Sequence, residues 1–199
     1  MNKIKKEQID AAVTALHAGG VIIFPTETSY GLGCDATNDD AIRRIYAIKG
    51  RDSEKALPVL IPDGKEASAY IQVTPVIQDL IDAHWPGALN IITETQPTSP
   101  ISPLCARDGR QSVRVSSNPV ASAIVRRFGK PIVATSANIS GEEPMYSVRD
   151  AEEIFKEAPD RPDVIVEAGD LPRIPASTTV RVIDDVIEVL RQGRVEVDV

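Results

Sequence analysis

Three short stretches carry side chains whose types and spacing could do chemistry. Lys49-Gly50-Arg51, with Lys55 shortly after, places three cations in seven residues. Such a cluster neutralises phosphate oxygens, and it equally suits the negative end of a helix. "FPTETSYGLG" (24–33) and "ATSANISG" (134–141) each follow an apolar run with neutral hydrogen-bonding groups. These are Thr26 and Thr28 in the first, and Thr135, Ser136, Asn138 and Ser140 in the second. Open α/β sheets gather ligands at the C-terminal ends of their strands, although a polar turn alone yields the same composition. Two stretches built alike point to one polar pocket. Arg114, within "SVRVSSNP", is either a strand-edge residue with a solvated head or a clamp for an anion. Ser177-Thr178 precedes a β-rich run, and Arg191 after Val189-Leu190 reads most simply as a solvated strand end.

Other chemistries are short of parts. The chain has two histidines, His17 and His84, and two cysteines, Cys34 and Cys105, with no pair at metal-ligand spacing. Ser-His and Cys-His nucleophile pairs are correspondingly unsupported. Gly31-Leu32-Gly33-Cys34-Asp35-Ala36 matches the letters of a dinucleotide fingerprint. That motif needs its first glycine directly after a strand and a helix opening within it. Neither holds here, and no P-loop is present.

The net charge of −7 is unevenly spread. Residues 107–130 carry Arg107, Arg110, Arg114, Arg126, Arg127 and Lys130 against the single acid Asp108. An acidic chain with one basic stretch is no general nucleic-acid binder, but it can hold a small polyanion locally. At 42% hydrophobic and 26% charged residues the composition is that of a soluble globular protein. No apolar run is long enough for a membrane span. The lysine-bearing N-terminus lacks the apolar stretch of a secretory leader, so the expected compartment is the cytoplasm.

The elements that must position these groups alternate between helix and strand. Helical spacing covers residues 6–18, 39–48, 75–84 and 119–128, with Thr74-Pro75 and Asn118-Pro119 supplying caps and first turns. Ser147 can cap a further helix through Phe155. Strands are expected over 21–24, 57–61, 88–93, 112–115, 131–134, 164–166, 178–183 and 186–190, with Asp184-Asp185 as a turn and 94–110 as a loop. The result is one α/β domain over residues 1–199, with a twisted, mixed parallel and antiparallel sheet and flanking helices.

Taken in order, "FPTETSYGLG", "IKGR", "KALPVLI", "WPGALNIIT", "VRV", "TSANISG", "STTVRVID" and "LRQG" resemble the YrdC family over roughly residues 7–194. The resemblance implies the family's twisted α/β fold with a concave ligand-binding face, in a compact form without an added C-terminal domain. It implies a synthase that combines L-threonine, bicarbonate or carbon dioxide, and ATP into threonylcarbamoyl-AMP and pyrophosphate. Magnesium would accompany the triphosphate, and a separate transferase would pass the product to tRNA, leaving any tRNA contact indirect. By the same resemblance Thr28, Arg114 and Ser177 would hold L-threonine. Lys49, Arg51, Lys55, Ser136, Asn138 and Arg191 would hold ATP, with Lys49 and Arg51 acting in catalysis. The glycines of the first motif would let backbone approach the substrate. The sequence departs from the family pattern at Ala56, Leu60 and Ser116. The alternatives are an RNA-binding protein of this fold and a low-activity paralogue.

Overall fold

The computed structural model describes residues 6–198. Most of the lysine-bearing N-terminal stretch lies outside them. Helix α1 (Lys6–His17) leads into a tight hairpin of β1 (Ile22–Pro25) and β2 (Tyr30–Gly33). Asn38 starts α2 (Asp39–Lys49) by accepting from the Asp40 and Ala41 amides, and Gly50 ends it in a left-handed conformation at φ 55°. After β3 (Val59–Leu60), Thr74 caps α3 (Pro75–His84). Strands β4 (Leu89–Glu94) and β5 (Arg110–Arg114) flank an irregular loop, and Asn118 caps α4 (Pro119–Phe128). The rest comprises β6 (Ile132–Val133), β7 (Thr135–Ser136), α5 (Ala151–Ile154), β8 (Val164–Ile165), β9 (Thr178–Ile183) and β10 (Val186–Arg191).

The strands divide between two sheets, where the sequence suggests one. Their orders are β7-β2-β1-β8 and β10-β9-β4-β5-β3-β6. Both sheets mix orientations: β1 pairs antiparallel with β2 and parallel with β8, and β4 pairs antiparallel with β5 and parallel with β9. The mixed α/β class therefore holds. The Asp184-Asp185 turn joins β9 to β10 with φ near 50° and 60°, a geometry that short acidic side chains tolerate.

Residues 30–33 form a strand rather than a glycine-rich loop. A Cβ on Gly33 would stand 2.3 Å from the Val133 carbonyl oxygen and 2.8 Å from the Phe24 ring. Close packing of β2 against its neighbours accounts for Gly33, whereas Gly31 lines the cleft described below. The helix after Ser147 is also shorter than its pattern suggests, a 3-10 turn at Val148–Asp150 followed by four α-helical residues.

Two apolar clusters fix the sheets. One joins Ile42, Ile45 and Ile48 of α2 to Leu32, Val59, Ile91 and Val113, and the other packs Leu16 of α1 and Ile124 and Phe128 of α4 on Ile22 and Phe24. The basic stretch 107–130 does not form a basic face. Arg107 pairs with Glu54, Arg127 with Asp10 and Lys130 with Asp35, Arg126 donates to the Pro62 carbonyl, and Arg114 turns inward.

Candidate active site

The hairpin turn, the end of β5, β7, the start of β9 and the end of β10 converge on one open cleft. Its cavity volume is about 240 Å³. Thr28, Arg51, Arg114, Ser136, Ser177 and Arg191 all line it. Residues far apart in sequence are therefore gathered on one wall.

Arg114 is the most constrained of these cations. It sits at the end of β5, opposite Leu60 in the parallel pairing, and is 5% exposed. Its Nη1 donates to Glu27 Oε1 at 3.0 Å and to Ser177 Oγ at 2.5 Å. Its Nε is buried with no partner. Arg51 shares this property: Nη2 donates to the Ala56 carbonyl at 3.0 Å, and Nε is left buried and unpartnered. A buried N–H without an acceptor costs about 1–3 kcal/mol. Two such groups on one cleft suit an anionic ligand that accepts from both.

Gly50 sends the chain out of α2 so that Lys49 and Arg51 part company. Arg51 faces the cleft, whereas Lys49 is 1% exposed. The Lys49 Nζ donates to the Ser136 carbonyl at 2.6 Å, the Asn138 carbonyl at 2.9 Å and Asn138 Oδ1 at 2.7 Å. An ammonium has three protons, and all three are used. Burial and then the Arg51 charge push its pKa down to about 7. Lys49 and Asn138 therefore stand behind the cleft wall, and Ser136 Oγ, on the wall, donates to Asn138 Oδ1 at 2.6 Å. Lys55 is exposed and does not line the cleft; its carbonyl accepts from Tyr46 Oη at 2.9 Å.

Arg191 lies beside Ser177 and Arg114. Its Nε donates to the Ser177 carbonyl at 3.0 Å and its Nη2 to Thr179 Oγ1 at 3.3 Å. Desolvation and the neighbouring Arg114 charge lower its pKa from the ordinary arginine value. Thr28 Oγ1 lies 3.2 Å from Thr26 Oγ1, whose hydroxyl donates to the Ser29 carbonyl at 2.7 Å, so the hairpin turn is internally braced.

The sequence reading omitted Asn90, Tyr146 and Ile174 from the site, though all three line the cleft. Asn90 had a signal, being an amide in an otherwise apolar strand; it is 6% exposed and donates to Thr179 Oγ1 at 3.2 Å. Tyr146 and Ile174 lie in irregular segments with no periodic pattern to place them.

The Sua5/YciO/YrdC family model, described as Telomere recombination, matches residues 14–193. The threonylcarbamoyl-AMP synthase of Pseudoalteromonas translucida is 37% identical over 154 residues, which are 75% of this chain and 81% of that protein. The synthase of Bacillus subtilis is 35% identical over 187 residues, or 94% of this chain and 53% of its own length. The crystal structure of P. abyssi Sua5 complexed with L-threonine superposes with a TM-score of 0.88 at 26% identity, covering 96% of this chain and 56% of that one. This chain thus spans about half the length of the latter two proteins. With its family match running across nearly all the described residues, the chain belongs to the Sua5/YciO/YrdC family.

Proposed function

We propose that this chain is a threonylcarbamoyl-AMP synthase, joining L-threonine, bicarbonate or carbon dioxide, and ATP, with release of pyrophosphate. One observation carries the reading. Arg51, Arg114 and Arg191 line one cleft whose other polar side chains are neutral hydroxyls and an amide, and the Nε atoms of Arg51 and Arg114 are buried without a partner. That pairing suits two anionic groups, a carboxylate and a phosphate, in one ligand or two adjoining ones. The relatives named as this synthase, and the related Sua5 structure holding L-threonine, support the assignment.

Arg114, Thr28 and Ser177 would take the amino acid, with the carboxylate on Arg114. Arg51, Arg191 and Ser136 would take the phosphates, with Lys55 reaching in from its exposed loop. Lys49 and Asn138 would contribute by holding the Ser136 loop. The threonine amine first adds carbon dioxide and loses a proton, giving a carbamate. A carbamate oxygen then attacks the α-phosphorus, and the bond to pyrophosphate breaks. Such a step calls for positioned reactants and neutralised charge, with no covalent nucleophile. Magnesium would enter with ATP as part of the substrate. Both oxygens of Glu27, the carboxylate bonded to Arg114, are already engaged, which favours a metal held by the phosphates.

The product would pass to a separate tRNA threonylcarbamoyl transferase in the cytoplasm, leaving tRNA contact indirect. Among the described residues no helix is long and apolar enough to cross a membrane. Pyrophosphate release that depends on L-threonine, with the mixed anhydride found by mass spectrometry, tests the reading. Threonine-independent release would refute it.

A further inference from the structure

Among the described residues Glu27 is the one carboxylate bonded to the cleft's arginines, yet it is not among those that line the cleft. Its side chain is 8% exposed against 6% for that of Arg114. Oε1 accepts from Arg114 Nη1 at 3.0 Å, and Oε2 accepts from Ser116 Oγ at 2.6 Å. Ser116 Oγ in turn accepts from the Asn118 amide at 3.2 Å, at the cap of α4. On its own side, Glu27 is set by the braced turn: the Thr26 amide donates to the Ser29 carbonyl at 3.0 Å, and the Thr28 and Ser29 amides both reach Thr26 Oγ1. Glu27 therefore ties the hairpin of one sheet to the end of β5 in the other.

Its choice of atom matters. Among the described residues both hydrogen bonds of Arg114 use Nη1, one to Glu27 and one to Ser177. In a planar guanidinium, Nε–H and one Nη2–H point to the same side and form the edge that grips a carboxylate with two parallel bonds. Glu27 occupies the far nitrogen and leaves that edge without a hydrogen bond among the described residues, Nε being buried and unpartnered.

We propose that Glu27 is a positioning residue: it fixes the Arg114 guanidinium at the cleft, with its Nε–Nη2 edge left unpaired for the carboxylate of an amino-acid substrate. The inference rests on the synthase reading for the identity of that substrate, but the orientation of Arg114 can be measured without it.

The test compares wild type with Glu27→Gln, which keeps shape and loses charge, and with Ser116→Ala, which frees one carboxylate oxygen without uncovering a charge. Arginine side-chain nitrogen NMR on the ligand-free protein reads the orientation directly. Wild type should show resolved, slowly rotating Nη signals for Arg114, and Glu27→Gln should average them. In turnover, KM for L-threonine should rise about tenfold or more in Glu27→Gln and less in Ser116→Ala, with KM for ATP within about twofold. Unchanged Arg114 signals in folded Glu27→Gln would overturn the inference, as would equal rises in both KM values. An inactive wild type with averaged signals in Glu27→Gln would support the positioning role while refuting the synthase reading alone.

Discussion

At the scale of single residues, the cations that looked equivalent in sequence do different work. Arg51 reaches the cleft with an unpartnered Nε, whereas Lys49 is saturated by carbonyls and an amide oxygen of the opposing loop. Arg51→Ala should cut adenylate formation about 10²–10³-fold, the usual loss for one preorganised donor, with the melting temperature little changed. Unchanged turnover would remove Arg51 from the phosphate site. For Lys49 the prediction is a pH dependence. Its folded pKa is lowered to about 7, below the ordinary lysine value of about 10.4. Between these values the unfolded chain binds more protons, so stability from this group rises with pH, by up to about 1.4 kcal/mol per pH unit. Urea unfolding at pH 7 and pH 9 should show a larger gain for wild type than for Lys49→Met. Equal gains would contradict the shift. The split between Lys49 and Arg51 was not legible in "IKGR", because it depends on where Gly50 ends the helix and on a loop 87 residues away.

At the scale of elements, punctuation was legible and packing was not. Asn118-Pro119 announced α4, and its Oδ1 accepts from the Val120 and Ala121 amides as a cap must. Asn118→Ala should therefore cost about 1 kcal/mol, read as a drop in the urea midpoint at unchanged slope. A change within error would show the cap to be replaceable. The strand at residues 30–33 escaped notice because glycines weaken a strand pattern. Its reason for glycine is a carbonyl from β6, about a hundred residues later, where a Cβ would come within 2.3 Å. Gly33→Ala should destabilise by at least about 1–3 kcal/mol through overpacking, again by urea unfolding. A neutral effect would mean that β2 can shift away from Val133. Asn90 shows the complementary case: an amide within a largely apolar strand marks a residue that lines the cleft.

At the scale of the whole molecule, an excess of acid coexists with a cleft lined by three arginines. Arg51, Arg114 and Arg191 line one cleft, while Arg107, Arg127 and Lys130 are dispersed in surface pairs and Arg126 lies on a backbone carbonyl. The charge run in the sequence therefore overstated any extended basic surface, since folding scatters it over several elements. A net charge of −7 with this distribution favours small anions in a local field over the backbone of an RNA helix. The most direct test of the account is pyrophosphate release by the purified protein with magnesium, ATP and bicarbonate, with and without L-threonine, using serine and valine as controls. The account predicts release that requires threonine and a product with the mass of threonylcarbamoyl-AMP. Release that ignores the amino acid, or none from folded protein, would contradict it.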